Sequence, residues 1–140
     1  MSIIESTFHY KDFQCCLIFK SLGYRCGYVK VPYWHPAYEK NYDKLNIKCH
    51  GGITYADHTL LGKIHVSGWW IGFDCAHFGD ILDIQSAIKY FDKGTKEERN
   101  TLNFLYNLDN GQENFGSVKT LDFCIQECKN IVDQLMQMEN

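Results

Sequence analysis

The chain has 140 residues and a formal net charge of −3, with 45% hydrophobic and 22% charged residues, a composition typical of one globular domain spanning residues 1–140. No apolar run approaches the roughly 20 residues that cross a bilayer, and the N-terminal Met-Ser-Ile-Ile-Glu lacks a signal-peptide pattern. We therefore expect a cytoplasmic protein with no membrane partner, and the negative total charge does not favour binding of a nucleic-acid polymer.

The first half of the chain has the pattern of β-strands. The continuous apolar run at residues 13–19 predicts a buried strand. After the turn at Ser21-Leu22-Gly23, residues 24–31 should return as the second strand of a hairpin. Residues 34–38 predict a loop, since proline disfavours a helical conformation in the residue before it.

Shorter elements follow. Residues 38–45 allow one or two helical turns, and a third strand is expected at residues 45–49. Gly51-Gly52 should break or kink that strand before residues 53–55. The strongest single strand prediction covers residues 69–75, which lie between Gly68 and Gly79.

Beyond Gly79 the apolar residues change to a helical period. Residues 81–91 predict a helix that ends near Gly94, and Thr95 then has the character of an N-cap for a second helix over residues 95–108. The last helix has the clearest apolar stripe. Its expected buried residues are Leu121, Ile125, Cys128, Val132 and Leu135.

These elements together predict an α+β fold. We expect an antiparallel sheet formed mainly by the N-terminal half, with two to three C-terminal helices packed on one face.

The first of two polar motifs is Cys49-His50-Gly51-Gly52-Ile53-Thr54-Tyr55. Two glycines after a histidine let the backbone turn sharply and leave N–H groups uncovered, and such groups can bind a phosphate or an oxyanion. The alternative is a plain turn with an incidental histidine. The candidate ligand-binding residues here are His50, Gly51, Gly52 and Tyr55.

The second motif is Trp69-Trp70-Ile71-Gly72-Phe73-Asp74-Cys75-Ala76-His77-Phe78-Gly79-Asp80. Strand alternation puts Trp69, Ile71, Phe73 and Cys75 on one face and Trp70, Gly72 and Asp74 on the other. Gly72 beneath an indole would leave a slot in which a planar ring can stack. Asp74 in an apolar strand requires a histidine, a backbone donor or a ligand hydroxyl as its partner.

We therefore expect one pocket built from both motifs. Its lining would be His50, Tyr55, Asp74, His77 and Asp80, with Trp69 or Trp70 as a wall. Core packing is the alternative for the tryptophans.

Cysteines and histidines of the two motifs raise the question of a metal. Cys49, His50, Cys75 and His77 lack the two-residue gaps of zinc knuckles, and adjacent ligands on one strand diverge. We expect no metal and no other cofactor.

Cys75 is also disfavoured as a nucleophile, because it shares a face with Phe73. The seven cysteines are an odd number without an export signal, which predicts reduced thiols that pack as small hydrophobes.

The two motifs, with Cys26-Gly27-Tyr28-Val29, Val31-Pro32 and His35-Pro36, resemble a family of short proteins encoded by bacteriophages and prophages. The likeness runs from Tyr24 to Asp80 and more loosely to the last helix. It implies a phage origin and expression in an infected bacterial cell, and no particular activity.

Three functions are then open. Small phage proteins with ligand pockets often counter host defence, so the leading hypothesis is an accessory anti-defence protein that binds and sequesters a nucleotide-derived immune signal of the host. Its site would use aromatic stacking, His50 and glycine N–H groups on phosphate, and Asp74 or Asp80 on ribose hydroxyls. The runner-up is a hydrolase or phosphodiesterase with a catalytic set of His50, His77 and Asp74. The third is a protein–protein inhibitor of a host defence enzyme.

The charge distribution bears on the ligand. Residues 1–78 carry eight Lys/Arg against six Asp/Glu, whereas residues 79–140 carry six against eleven. Because the two motifs lie mainly in the basic half, a small anionic, nucleotide-like ligand is favoured. A homo-oligomer is left open.

Overall fold

The computed structural model describes residues 2–60, 68–91, 95–97, 99–101, 103–104 and 116–138. Its centre is an antiparallel sheet of five strands. In chain order these are β1 (Ser2–Tyr10), β2 (Phe13–Lys20), β3 (Arg25–Val31), β4 (Tyr55–Asp57) and β5 (Trp69–Asp74), and their order in the sheet is β1-β2-β3-β5-β4.

Smaller elements surround this sheet. Strands β6 (Asp80–Ile81) and β7 (Ser117–Val118) form a short parallel pair. The helices are α1 (Ile84–Tyr90) and α2 (Leu121–Gln137), and a 3₁₀ turn covers Tyr42–Lys44. The expected helix at residues 95–108 lies partly outside the described residues, and residues 96–97, 99–101 and 103–104 are helical.

The central strands are buried on both faces, which explains why β2 has a continuous apolar sequence. Cys15 and Leu17 point to the face that α2 covers, and Cys16 and Ile18 point to the opposite face. The expected hairpin of β2 and β3 is confirmed, and its turn uses Gly23 at a φ of +106°.

Helix α2 packs across the sheet through an apolar stripe, as its period predicts. Thr120 is its N-cap, and its hydroxyl accepts a hydrogen bond from the Phe123 N–H at 3.1 Å. Cys128, Val132 and Leu135 are fully buried as expected, whereas Leu121 and Ile125 are only partly buried. The buried stripe is rotated about the helix axis toward Cys124 and Ile131, which are fully buried.

Two strand assignments differ from the sequence prediction. Strand β1, an edge of the sheet, was not expected. Residues 45–49 are not a strand, and the backbone of Lys48 bonds to side chains of α2 instead of a neighbouring strand. The Lys48 N–H donates to Gln134 Oε1 at 2.8 Å, and the Lys48 carbonyl accepts from the Asn130 and Gln134 amides at 2.9 and 2.7 Å.

The fold is α+β, and this prediction is confirmed. Helix α1 packs against Phe19 of β2, whose position in the strand puts it on the same face of the sheet as Cys15 and Leu17. Among the described residues no helix is both long and apolar enough to cross a bilayer.

Candidate functional site

A pocket of about 430 Å³ opens where β5 ends beside β3. Its aromatic walls are Tyr24, Tyr28 and Tyr55, which belong to the hydrophobic cluster on the face opposite α2. The full lining is Tyr24, Cys26, Tyr28, Thr54, Tyr55, Phe73, Asp74, Ala76 and His77. The pocket therefore combines an apolar, mainly aromatic body with a polar end at Asp74 and His77, the combination typical of small-molecule sites.

The tyrosine walls are positioned by the pairing of three strands. Gly72 of β5 lies opposite Tyr28 of β3 on one side and Tyr55 of β4 on the other. The two phenol rings contact each other edge to face, with centroids 5.2 Å apart. A Cβ atom at Gly72 would overlap the Tyr28 ring. The slot that we expected above Gly72 for a ligand ring is thus filled by Tyr28 itself.

Asp74 is the carboxylate of the pocket. Its Oδ2 accepts from the Thr54 hydroxyl at 2.9 Å, and its Oδ1 accepts from the Ala76 N–H at 3.1 Å. The Nε2 atom of His77 lies 3.1 Å from Oδ1 without the alignment of a hydrogen bond. A carboxylate has about four acceptor positions, and the Asp74 side chain is 28% exposed. It therefore keeps acceptor capacity for a ligand.

A second carboxylate, Asp80, lies deeper and binds His50. The His50 Nε2 atom is 2.9 Å from each carboxylate oxygen, and the Asp80 side chain is only 2% exposed. Asp80 also accepts from the His77 N–H at 3.0 Å and lies 3.3 Å from the Lys119 ammonium. Burial raises the pKa of Asp80, but the bonds from His50, His77 and Lys119 outweigh it and hold the pKa below its ordinary value.

His77 connects the two carboxylates. Its ring centroid is 6.1 Å from that of His50. The approach requires Gly51, since a Cβ atom there would overlap the His77 imidazole, and Gly51 also has a left-handed φ of +67°. The two motifs therefore meet at Gly51 and His77.

Helix α2 sets the position of His50. The His50 N–H donates to Glu127 Oε1 at 2.8 Å, and the His50 ring contacts Phe123 edge to face at 5.4 Å. The Gly52 N–H donates to the Cys49 carbonyl at 2.9 Å. The expected anion site made of backbone N–H groups is thus weakened, because the N–H groups of His50 and Gly52 already have partners within the protein.

The structure brings together some of the expected residues and separates others. Tyr55, Asp74 and His77 line the pocket, and His50, Gly51 and Asp80 lie beside His77. The tryptophans do not form a wall. Trp69 is buried on the α2 face and donates to the Lys40 carbonyl at 3.1 Å, while Trp70 is buried on the opposite face.

Sequence reasoning missed several residues of this region. Among them, Tyr24, Tyr28 and Thr54 line the pocket, and Lys119 reaches Asp80 from the segment before α2. The alternation of β3 does put Tyr28 on one face with Cys26, but cross-strand pairing with Gly72 has no local sequence signal.

The cysteines are all free thiols. Cys75 lies 3.6 Å from Cys124 of α2, sulfur to sulfur, and both are buried. That bond and burial raise the pKa of Cys75, which opposes a nucleophilic thiolate. Within the described ranges, no three His, Cys, Asp or Glu side chains are arranged to hold a metal ion.

Comparison with known proteins adds no relative. No protein-family model matches the chain, and no significant match is found among curated proteins or solved structures. The residues of the site itself are therefore the basis for its function.

Proposed function

We propose that the protein binds a small molecule and sequesters a nucleotide-derived signal of the bacterial host during phage infection. The observation that carries the proposal is the tyrosine-walled pocket with Asp74 at its polar end. Its volume of about 430 Å³ falls within the range of roughly 300–1,000 Å³ that is usual for small-ligand sites.

Each part of such a ligand has a matching chemical group. A planar base can stack on the faces of the tyrosines, which accept any base because every base has a π-face. Ribose hydroxyls can donate to Asp74, whose carboxylate is partly exposed. The setting in an infected cell follows from the resemblance of the two motifs to phage proteins.

Binding without cleavage is favoured by how the polar groups are already paired. Asp80 is held by His50, by the His77 backbone and by Lys119, and it is almost fully buried. His50 is fixed at its backbone by Glu127. These contacts stabilise the shape of the site in the way that a preorganised binding site requires.

A hydrolase is the second candidate, and the His50–Asp80 pair favours it. A carboxylate that binds one ring nitrogen orients the imidazole and stabilises its protonated form. In that case Asp80 would position His50 as the general base, with His77 beside it as the acid.

One experiment separates these functions. The protein is incubated with cyclic dinucleotides or with cyclic ADP-ribose derivatives, freed of unbound ligand by gel filtration, and then denatured by heat. Release of the intact nucleotide supports sequestration, whereas release of a cleaved product that is lost in Asp80→Asn supports the hydrolase.

The matched variants are Asp74→Asn, in the pocket, and Asp133→Asn, at an exposed ion pair with Lys11. Retention that falls in Asp74→Asn and not in Asp133→Asn supports the pocket as the binding site. If no nucleotide is retained and none is cleaved, the proposal is wrong.

A further inference from the structure

We infer that the pocket receives a neutral or cationic group of the ligand that carries hydrogen-bond donors, and that it excludes phosphate. This inference rests on the proposed function, since it states which part of the bound molecule enters the pocket. It departs from the expectation of an anionic ligand, because the pocket carries the carboxylate of Asp74, which repels an anion.

The charge of the pocket lining disfavours an anion. Among the described residues, the lining contains the carboxylate of Asp74 and no lysine or arginine. Lys119, which lies beside Asp80, is bound to that carboxylate and to the Ser117 hydroxyl at 2.8 Å. A phosphate in the pocket would therefore lie beside the like charge of Asp74, and the described lining residues include no lysine or arginine to offset it.

The direction of the hydrogen bonds around Asp74 favours a ligand group with donors. The Thr54 hydroxyl donates its proton to Asp74, and the Tyr55 hydroxyl donates its proton to the Thr59 carbonyl. A hydroxyl has one proton and two lone pairs. With those protons committed inside the protein, Thr54, Tyr55 and Asp74 present lone pairs, so this part of the pocket offers acceptors and needs donors from its ligand.

The aromatic walls favour the same kind of group. The faces of tyrosine rings are the negative part of their quadrupole and attract cations and polarised N–H groups. Walls of this kind around one carboxylate match either an amino or ammonium group or the hydroxyls of a ribose. Both share the same chemistry, a non-anionic group rich in donors.

The test uses adenosine, adenosine 5′-monophosphate and inorganic phosphate as probes, followed by calorimetry and by NMR shifts of Tyr24 and Tyr55. The expected result is that adenosine and its monophosphate bind within about threefold of each other and that inorganic phosphate at tenfold excess does not compete. Purine riboside, which lacks the amino group, and 2′-deoxyadenosine, which lacks a hydroxyl, show which donor enters the pocket.

The variant Asp74→Asn tests whether hydrogen-bond donors or a phosphate enter the pocket. If donors enter, the variant should bind adenosine and its monophosphate at least tenfold more weakly. If phosphate enters, removing the negative charge should tighten binding of the monophosphate, and competition by inorganic phosphate would appear in the native protein; either result overturns the inference. Tyr24→Leu is the second variant, should Asp74→Asn fail to fold, and it should weaken both ligands alike.

Binding of small fragments distinguishes a failure of this inference from a failure of the proposed function. If no nucleotide or nucleoside binds, the proposed function fails for these ligands. Shifts of Tyr24 and Tyr55 with ribose or methylammonium, absent in Asp74→Asn, would still support the polarity of the pocket. If neither fragment shifts these residues more than inorganic phosphate does, the inference is wrong.

Discussion

Glu5 binds Arg25 although a whole strand, β2, separates the strands that carry them. The Arg25 Nε and Nη2 atoms lie 2.7 and 3.1 Å from the two carboxylate oxygens, and the side chains are 5% and 1% exposed. The register of β1 shifts between Ile4 and Ser6, which makes Glu5 a bulge residue. The guanidinium carbon lies 5.0 Å from the centroid of the Phe19 ring, so the pair crosses β2 above that ring.

Glu5→Ala should therefore destabilise the fold strongly, because it leaves a buried guanidinium with fewer partners. Removing one member of a buried ion pair costs about 3–5 kcal/mol, and we expect the lower end because Asp83 still binds Arg25 at 2.9 Å. The measurement is the free energy of unfolding in urea. The control is Lys11→Ala, which breaks an exposed pair with Asp133 and should cost less than about 1 kcal/mol. Equal losses in the two variants would contradict the buried role of Glu5.

Gly51 and Gly52 offer a matched pair of substitutions. Both have left-handed φ angles, +67° and +80°, so alanine adds backbone strain of about 1–2 kcal/mol at either position. Only at Gly51 does the new methyl overlap His77, since nothing lies within 4 Å of a Cβ atom at Gly52. Gly51→Ala should thus lose more stability than Gly52→Ala and also displace the His77 imidazole, which NMR shifts of the ring protons would report. Identical His77 shifts in the two variants would show that the contact has no consequence.

The lowered pKa of Asp80 predicts that the free energy of unfolding depends on pH. Burial raises the pKa of this carboxyl, yet its bonds to His50, His77 and Lys119 leave the folded-state pKa below the ordinary value of 3.8. A lowered folded-state pKa stabilises the fold above the ordinary value, and this contribution disappears as the pH falls through the folded-state pKa. The free energy of unfolding should therefore decrease from about pH 5 toward pH 2, and Asp80→Asn should flatten that slope. An unchanged slope in Asp80→Asn, with Asp133→Asn as the exposed comparison, would contradict this role.

We expect the thiols of the folded protein to react slowly at neutral pH. Burial raises the pKa of Cys16 and Cys26 to about 11, and that of Cys49 to about 12. Because the thiolate is the reactive form, the native protein at pH 8 should react slowly with an aromatic disulfide reagent, and all seven cysteines should react after denaturation. The raised values also stabilise the fold below the ordinary thiol pKa of 9.0, and this contribution is lost as the pH rises toward 11–12. Rapid labelling of several thiols in the folded protein would contradict the prediction.

The most deeply buried elements were the predictable ones. Strands β2, β3 and β5 are recognisable as mainly apolar runs, and helix α2 is recognisable by the helical period of its apolar residues. Strand β1 left no such pattern, because the bulge at Glu5 interrupts the alternation and an edge strand is half exposed. Residues 45–49 did alternate, with Ile47 buried, but alternation does not reveal that side chains of α2 satisfy their backbone.

The site was predictable in its polar residues and not in its walls. Asp74 and His77 were recognisable because a carboxylate next to a buried strand needs a partner. Trp69 is buried in the core on one face of the sheet and Trp70 on the other, whereas the tyrosines line the pocket. This arrangement depends on which strands pair and on which elements cover each face of the sheet. Those are long-range properties, and the local pattern does not contain them.

The contact between His50 and α2 has a consequence for the order in which the protein can be built. Their hydrogen bond joins residues that are 77 positions apart in the chain. During translation the tyrosine walls can assemble once β5 has left the ribosome, because β3, β4 and β5 provide them. The contacts that hold the His50–Asp80 pair in place come from Lys119, Phe123 and Glu127, which are translated later. The strands that form the pocket are thus synthesised before the residues that fix its neighbouring histidine.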